Sequence, residues 1–209
     1  MMSLVQRLCA CLGIILGVAG CVGTGEVVPL KIQTLPSLKS VNQSFQDIRV
    51  VIEPFESNAD ADRLGVRTHL GGGETVFTVQ DGKIGTVLAR MVGDHLARLG
   101  FQVWVSKSTA QEVLAKPDVV ITGQVQQLSV QGRSRFFSTA ITARVKAVIQ
   151  VANASDRSTM RFNLDGMRES AIFWFDPMEV QELVNRMLAE NLDKVLADIR
   201  VQDRALQIK

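Results

Sequence analysis

The second half of this chain alternates apolar and polar residues with a period of two, and two other segments repeat with a period of three to four. Asp118 to Val130 reads as a long strand with Val119, Ile121 and Val125 among its apolar positions. Phe136 to Val151 is a second, with Ile141, Ala143, Val145, Ala147, Ile149 and Val151 on one face. Thr159 to Phe175 is a third, and Gln131-Gly132 and Asn153 to Asp156 supply the turns between them. Ile84, Leu88, Met91, Val92, His95, Leu96 and Leu99 fall at helical spacing. They predict a helix from Gly82 to Leu99, capped by Asp81 and stopped by Gly100. A second helix starts at Asp176-Pro177, with the acid as N-cap and proline at the first helical position. Its apolar stripe runs Val180, Leu183, Val184, Met187, Leu188, Asn191, Leu192, Val195, Leu196, Ile199.

Shorter elements precede these. Ile48 to Ile52 is a β-branched strand closed by Pro54, Thr75 to Val79 a short strand, and Phe101 to Val105 another. Asn58 to Gly73 reads as a loop rich in Asp, Arg and Gly, and Ser108 as the cap of a short helix ending at Leu114. The order predicts an α+β two-layer sandwich: a mixed, mostly antiparallel sheet containing a three-strand meander and one parallel crossover, with two main helices on one face. The folded domain spans 47–201, and residues 202–209 form a polar, frayed tail. Residues 22–46, with Pro29 and Pro36, read as a flexible tether with a span of roughly 25–30 Å. Val27 to Ile32 has a second reading, as a docked edge strand, and the sequence leaves the two open.

The start of the chain carries the most specific pattern. Arg7 precedes an apolar run from Leu8 to Val18, the length of a signal-peptide core and too short to span a bilayer. Val18-Ala19-Gly20-Cys21 follows, and this resembles the lipobox of bacterial lipoproteins. The resemblance implies cleavage between Gly20 and Cys21, removal of residues 1–20 and acylation of Cys21. Each buried methylene adds about 0.8 kcal/mol, so several acyl chains give effectively permanent anchoring. Val22, in place of Asp, implies export to the outer membrane. The other cysteines, Cys9 and Cys11, leave with the signal, so the remaining domain has no disulfide and no Cys-based metal site or nucleophile. Lys and Arg number 23 against 21 Asp and Glu, and only Arg7 of these lies in the leader. That balance lacks the footprint of a nucleic-acid binder.

The chain resembles the YajG family of bacterial lipoproteins. The likeness rests on Cys21, on Leu96-Ala97-Arg98-Leu99-Gly100-Phe101 and on Leu128-Ser129-Val130-Gln131-Gly132 with Arg135. Thr142-Ala143-Arg144-Val145-Lys146-Ala147 and the helix from Asp176 match as well. The opening Val50 to Phe55 is also similar to envelope lipoproteins with TolB-N-terminal-like or CsgG-like domains. The family implies a lipid-anchored outer-membrane protein facing the periplasm, without catalysis.

Candidate chemistry is sparse. A zinc site would need His69 and His95 with carboxylates such as Glu74 or Asp94; the plainer reading puts His95 in helix packing and His69 in a loop. Gly71-Gly72-Gly73 is followed by Glu74 where a phosphate-binding loop needs Lys and Ser/Thr, and Asp60 and Asp62 lack EF-hand spacing. No nucleophile elbow is present. The expectation is therefore no catalytic residue, no metal and no cofactor. Arg133, Arg135 and Phe136, with Trp174, are the candidate contacts for a protein or glycan partner in the envelope. Alternation places Phe173 and Phe175 inside and Trp174 on the opposite face. An alternative is an auxiliary lipoprotein of an envelope transport system that binds lipid or polymer.

Overall fold

The structure, a computed structural model, describes residues 25–34, 47–57, 62–106 and 116–208. In chain order these form β1 (Glu26–Leu30), β2 (Arg49–Ile52), β3 (Glu56–Ser57), β4 (Arg63–Thr68) and β5 (Glu74–Val79), then α1 (Ile84–Arg98) and β6 (Gln102–Val105). β7 (Val119–Arg135), β8 (Ser138–Asn153), β9 (Thr159–Ile172), α2 (Pro177–Ala197), β10 (Ile199–Gln202) and β11 (Ala205–Ile208) follow. The class is α+β: a mixed sheet with two helices. The expected acyl site Cys21, the expected cleavage partner Gly20, and the helix expected over 108–114 lie outside the described residues.

β7 organises the sheet. One edge pairs antiparallel with β8 along its whole length, and β8 pairs with β9 in the same way. The other edge carries β2, β3 and β4 head to tail, all parallel to it: Val50 faces Val119, Glu56 faces Gln124, and Gly65 faces Val130. Pro54 makes the first interruption, since it has no N–H to donate to a ladder. The Glu53 amide just ahead of the proline donates to the Ile121 carbonyl at 2.9 Å, and pairing resumes at Glu56. β6 lies parallel outside β2, β5 antiparallel outside β4, and β1 parallel outside β5. Parallel pairing thus goes well beyond the single crossover expected.

Every second residue of β8 from Ile141 to Val151 is buried under the helices, as its alternation predicts. α1 and α2 share that face and meet where His95 Nε2 lies 3.1 Å from Asp193 Oδ1. The opposite face carries Thr142, Arg144, Lys146 and Gln150 of β8 opposite Glu169, Met167, Asp165 and Arg161 of β9, and is polar. The Asp176 cap holds as expected, its carboxylate accepting from the Met178 amide at 2.8 Å, with Pro177 first in the helix.

Four expectations are corrected. Asp81 does not cap α1; Lys83 stands at the N-cap without a side-chain hydrogen bond. Gln131-Gly132 is no turn, because β7 runs on to Arg135. A Cβ at Gly132 would lie 2.9 Å from Arg67 Cβ, so this glycine permits a close strand approach. The expected loop over 58–73 contains β4, whose Leu64 is buried. The tail is no frayed end: β10 and β11 form a hairpin across Asp203 and Arg204, both with left-handed φ (50° and 62°), and Ala205 and Leu206 are buried. The turn escaped notice because Asp-Arg replaces the usual Asn-Gly.

Side chains that imitate backbone fasten the outlying segments. Asn153 accepts from the Leu206 amide at 3.0 Å and donates to its carbonyl at 2.9 Å, joining β11 to β8. Asn185 of α2 does the same for the stretch after β1, accepting from the Gln33 amide at 3.0 Å and donating to the Lys31 carbonyl at 3.1 Å. Thr34 then donates to the Met91 carbonyl of α1. Of the two readings left open for residues 27–32, the docked edge strand holds, so the folded domain includes residues 26–34 rather than starting at 47. At the start of β7, Asp118 accepts from the Arg49 amide (3.0 Å), Arg49 Nε (3.1 Å) and Arg204 Nη2 (3.1 Å). These bonds, the Arg49 side chain first, hold its carboxyl at about 2.

Candidate functional site

Strand directions bring several loops to one end of the sheet. β4 and β7 run toward it, while β5 and β1 start there: Thr68 faces both Arg133 and Glu74, and Glu26 faces Thr75. β8 starts there and β9 ends there, with Thr139 facing Ile172. This tip therefore gathers the β4–β5 turn, the β7–β8 turn, the exit of β9, the first turn of α2 and the entry to β1. At about 4.8 Å per strand, the row from β1 to β9 is roughly 24 Å wide.

The β4–β5 turn is closed by the His69 amide donating to Gly73 (2.8 Å) and the Gly72 amide donating to His69 (3.1 Å), with Gly72 at φ 86°. Gly71-Gly72-Gly73 thus serves a hairpin turn. It leaves Leu70 exposed. Thr75 donates its hydroxyl to Glu26 (3.0 Å), so the 2.8 Å contact with His69 Nε2 needs that nitrogen as donor, which assigns the His69 tautomer.

The β7–β8 turn is Phe136 and Phe137, exposed at 81% and 80%. Phe137 has φ 63°, a region that costs an L-residue roughly 1–2 kcal/mol and usually holds glycine. Arg133 and Arg135 flank it, exposed on the polar face of the sheet. After Ile172 the chain bends, and Phe173 (65% exposed) meets Trp174 (81% exposed) edge to face, ring centres 5.7 Å apart. The alternation that would bury Phe173 fails because the strand has already ended. Phe175 turns back in, 6.2 Å from Phe77, with the Arg67 guanidinium 3.7 Å over its ring. Arg67 Nε also donates to Ser134 (3.0 Å), so one cation joins β4, β7 and the start of α2. Burial lowers the Arg67 pKa, and Glu26 opposes that shift.

The fold thus brings Arg133, Arg135, Phe136 and Trp174 to one end. It adds Phe137 and Phe173, the latter expected inside, and Leu70 and Met178, which the sequence did not single out; all four are exposed. For Phe137 and Phe173 the signal was the tandem pairs Phe136-Phe137 and Phe173-Trp174, too dense in aromatics for one alternating strand face to hide; Leu70 and Met178 had none.

The histidines stay apart, His69 at the tip and His95 in the middle of α1. Among the described residues no group of three His, Cys, Asp or Glu gathers to hold a metal. Burial lowers the His95 pKa, Asp193 partly opposing this and Arg98 adding to it. Its Nδ1 has no hydrogen-bond partner among the described residues. A groove of about 640 Å³ opens on the polar face beside the Pro54 interruption, lined by Glu53, Glu56, Gln124, Gln150 and Arg161 among others. Among the described residues no helix is long and apolar enough to cross a membrane.

No family model matches the chain. No curated protein matches it either. Several solved structures are similar in outline. A Xanthomonas campestris protein of the DUF330 family is 14% identical, with 83% of this chain and 92% of that one covered at a TM-score of 0.46. A neuraminyllactose-binding hemagglutinin homolog from Helicobacter pylori is 8% identical, covering 78% and 91% at 0.42. A Neisseria meningitidis lipoprotein is 10% identical, covering 66% and 96% at 0.33. At such identities and TM-scores these likenesses say nothing of activity or partner.

Proposed function

We propose that this chain is a non-catalytic lipoprotein, held by acyl chains on Cys21 at the periplasmic face of the outer membrane, whose α+β domain contacts another envelope component. The observation that carries the reading is the run Val18-Ala19-Gly20-Cys21 at the end of an 11-residue apolar core, Leu8 to Val18, placed just ahead of a folded β1. A partner, protein or glycan, has two surfaces to meet: the tip with Arg133, Arg135, Phe136 and Trp174, and the polar groove by Pro54. Cys21→Ala tests the anchor. Mass spectrometry of the N-terminal peptide should show acylation in the wild type, and the variant should leave the membrane fraction or stay unprocessed. Wild-type protein without acyl mass on Cys21 would overturn the reading.

A further inference from the structure

Most of the exposed large apolar residues lie where the chain arrives from Cys21; Trp104 on β6 and Met167 on β9 are single exposures elsewhere. Glu26, the first residue of β1, pairs with Thr75 at the tip, and the Gly25 amide donates to the Glu74 carbonyl there at 3.0 Å. From Cys21 to Glu26 is five residues, which reach at most about 18 Å when fully extended. The stretch after β1 offers no slack, because Lys31 to Thr34 is hydrogen-bonded to α2 and α1. A domain anchored at Cys21 therefore keeps its tip within a short distance of the lipid.

We propose that the tip formed by Leu70, Phe136, Phe137, Phe173, Trp174 and Met178 is a membrane seat, lying in the interface of the bilayer that holds the anchor, with the sheet standing away from it. The proposal rests on the reading of Cys21 as the acylated residue. The chemistry fits an interface in particular. Tryptophan settles at headgroup level, its ring in apolar surroundings and its indole N–H hydrated, while phenylalanine and leucine bury at the headgroup–acyl boundary. Arg133 and Arg135 stand beside the aromatics, at the height of the phosphates. The strained φ of Phe137 points the same way: an exposed turn that needs a left-handed residue carries a large apolar ring instead of glycine.

Charge at the tip is mixed, since Glu26, Glu74 and Glu179 accompany the arginines. The seat therefore works by insertion of rings rather than by attraction to anionic lipid, and its occupancy is insensitive to salt. With its tip in the lipid, the domain presents the polar face and the groove by Pro54 to a macromolecular partner.

The two tryptophans of the chain supply the probe. Trp174 lies at the tip. Trp104 on β6 faces Val51, which faces Val120 near the start of β7, about 15 residues and hence roughly 45–50 Å along the strand from the tip. The acylated full chain, as Trp104→Phe and as Trp174→Phe, is reconstituted in phosphatidylethanolamine–phosphatidylglycerol vesicles containing lipids brominated at different acyl depths. The expected result is blue-shifted emission from Trp174, quenched most by shallow bromines, with Trp104 unaffected and no change on raising salt.

Vesicle-bound protein whose Trp174 still emits as in water overturns the seat and leaves the anchor intact. Equal quenching of both tryptophans overturns the upright pose. Protection of Trp174 that needs no lipid and rises with protein concentration assigns the tip to a second copy instead. Protection only in native envelope membranes assigns it to another protein. Chains that neither float with vesicles nor carry acyl mass on Cys21 overturn the anchor, and the seat with it.

Discussion

Replacing Asp118 by asparagine tests how β2 and the β10–β11 turn are held to the start of β7. The carboxylate takes the Arg49 amide from β2, the Arg49 side chain, and Arg204 from the β10–β11 turn. Its pKa falls from 3.8 to about 2, which at about 1.4 kcal/mol per unit is on the order of 2 kcal/mol. Arg49 and Arg204 are 33% and 57% exposed, so solvent screening reduces this to about 1–2 kcal/mol. An acid whose pKa is depressed by folding stabilises above its unfolded value and loses that contribution as pH falls through the folded one. Urea denaturation at pH 7 should show Asp118→Asn weaker by about 1–2 kcal/mol. That gap should close as pH falls from 4 toward 2, and shrink in high salt. Other carboxylates protonate in the same window, so the quantity to follow is the difference between the two proteins. A gap that persists unchanged to pH 2 would mean the loss is steric, and the electrostatic account would fail.

Three further outcomes follow from the packing. Phe137→Gly removes the left-handed penalty at the cost of a more flexible unfolded chain, and should stabilise the domain by about 0.5–1 kcal/mol in urea. A clear loss of stability would show that the ring packs against the fold. Asn153→Ala strands the amide and carbonyl of Leu206 and should cost about 2–3 kcal/mol, with faster hydrogen exchange at Leu206. Exchange as slow as in the wild type would refute that link. His95 has its pKa lowered by burial, so the folded state resists protonation and stability should fall as pH drops below about 6.5. His95→Gln should flatten that part of the thermal-stability profile, and an unchanged slope would place the titration elsewhere.

Most of the core was legible in the sequence because one face of β8 and one stripe of each helix are buried at a fixed period. What escaped was pairing. No local pattern says that β2, β3 and β4 share one edge of β7, since that depends on contacts some 65 to 70 residues apart in the chain. β4 was hidden by its Gly and Arg content and by burial on one side only. The hairpin after α2 was hidden by a turn made of Asp203 and Arg204. At the tip, Arg133, Arg135, Phe136 and Trp174 were visible as residue types. That they meet at the same end, with Leu70 and Met178, required the strand directions.

The places where local rules fail separate into two kinds, and the separation bears on function. At Asp203-Arg204 the unusual backbone is matched by bonds: Arg204 donates to the Asp47 carbonyl at 2.9 Å and to Asp118. At Pro54, the ladder runs up to the proline through Glu53 and resumes two residues later at Glu56. These departures are compensated inside the fold. Phe137 has no such compensation, for its ring is 80% exposed while its backbone is strained. Phe136, Phe173 and Trp174 likewise leave large apolar surface in water within the same end of the sheet. Arg157 at φ 59° and the exposed Trp104 and Met167 are isolated departures, whereas at this end several gather, and such a gathering marks a surface shaped by something outside the fold. Since β1 starts at that same end, five residues after Cys21, the agent we propose is the bilayer to which an acylated Cys21 would tie the chain.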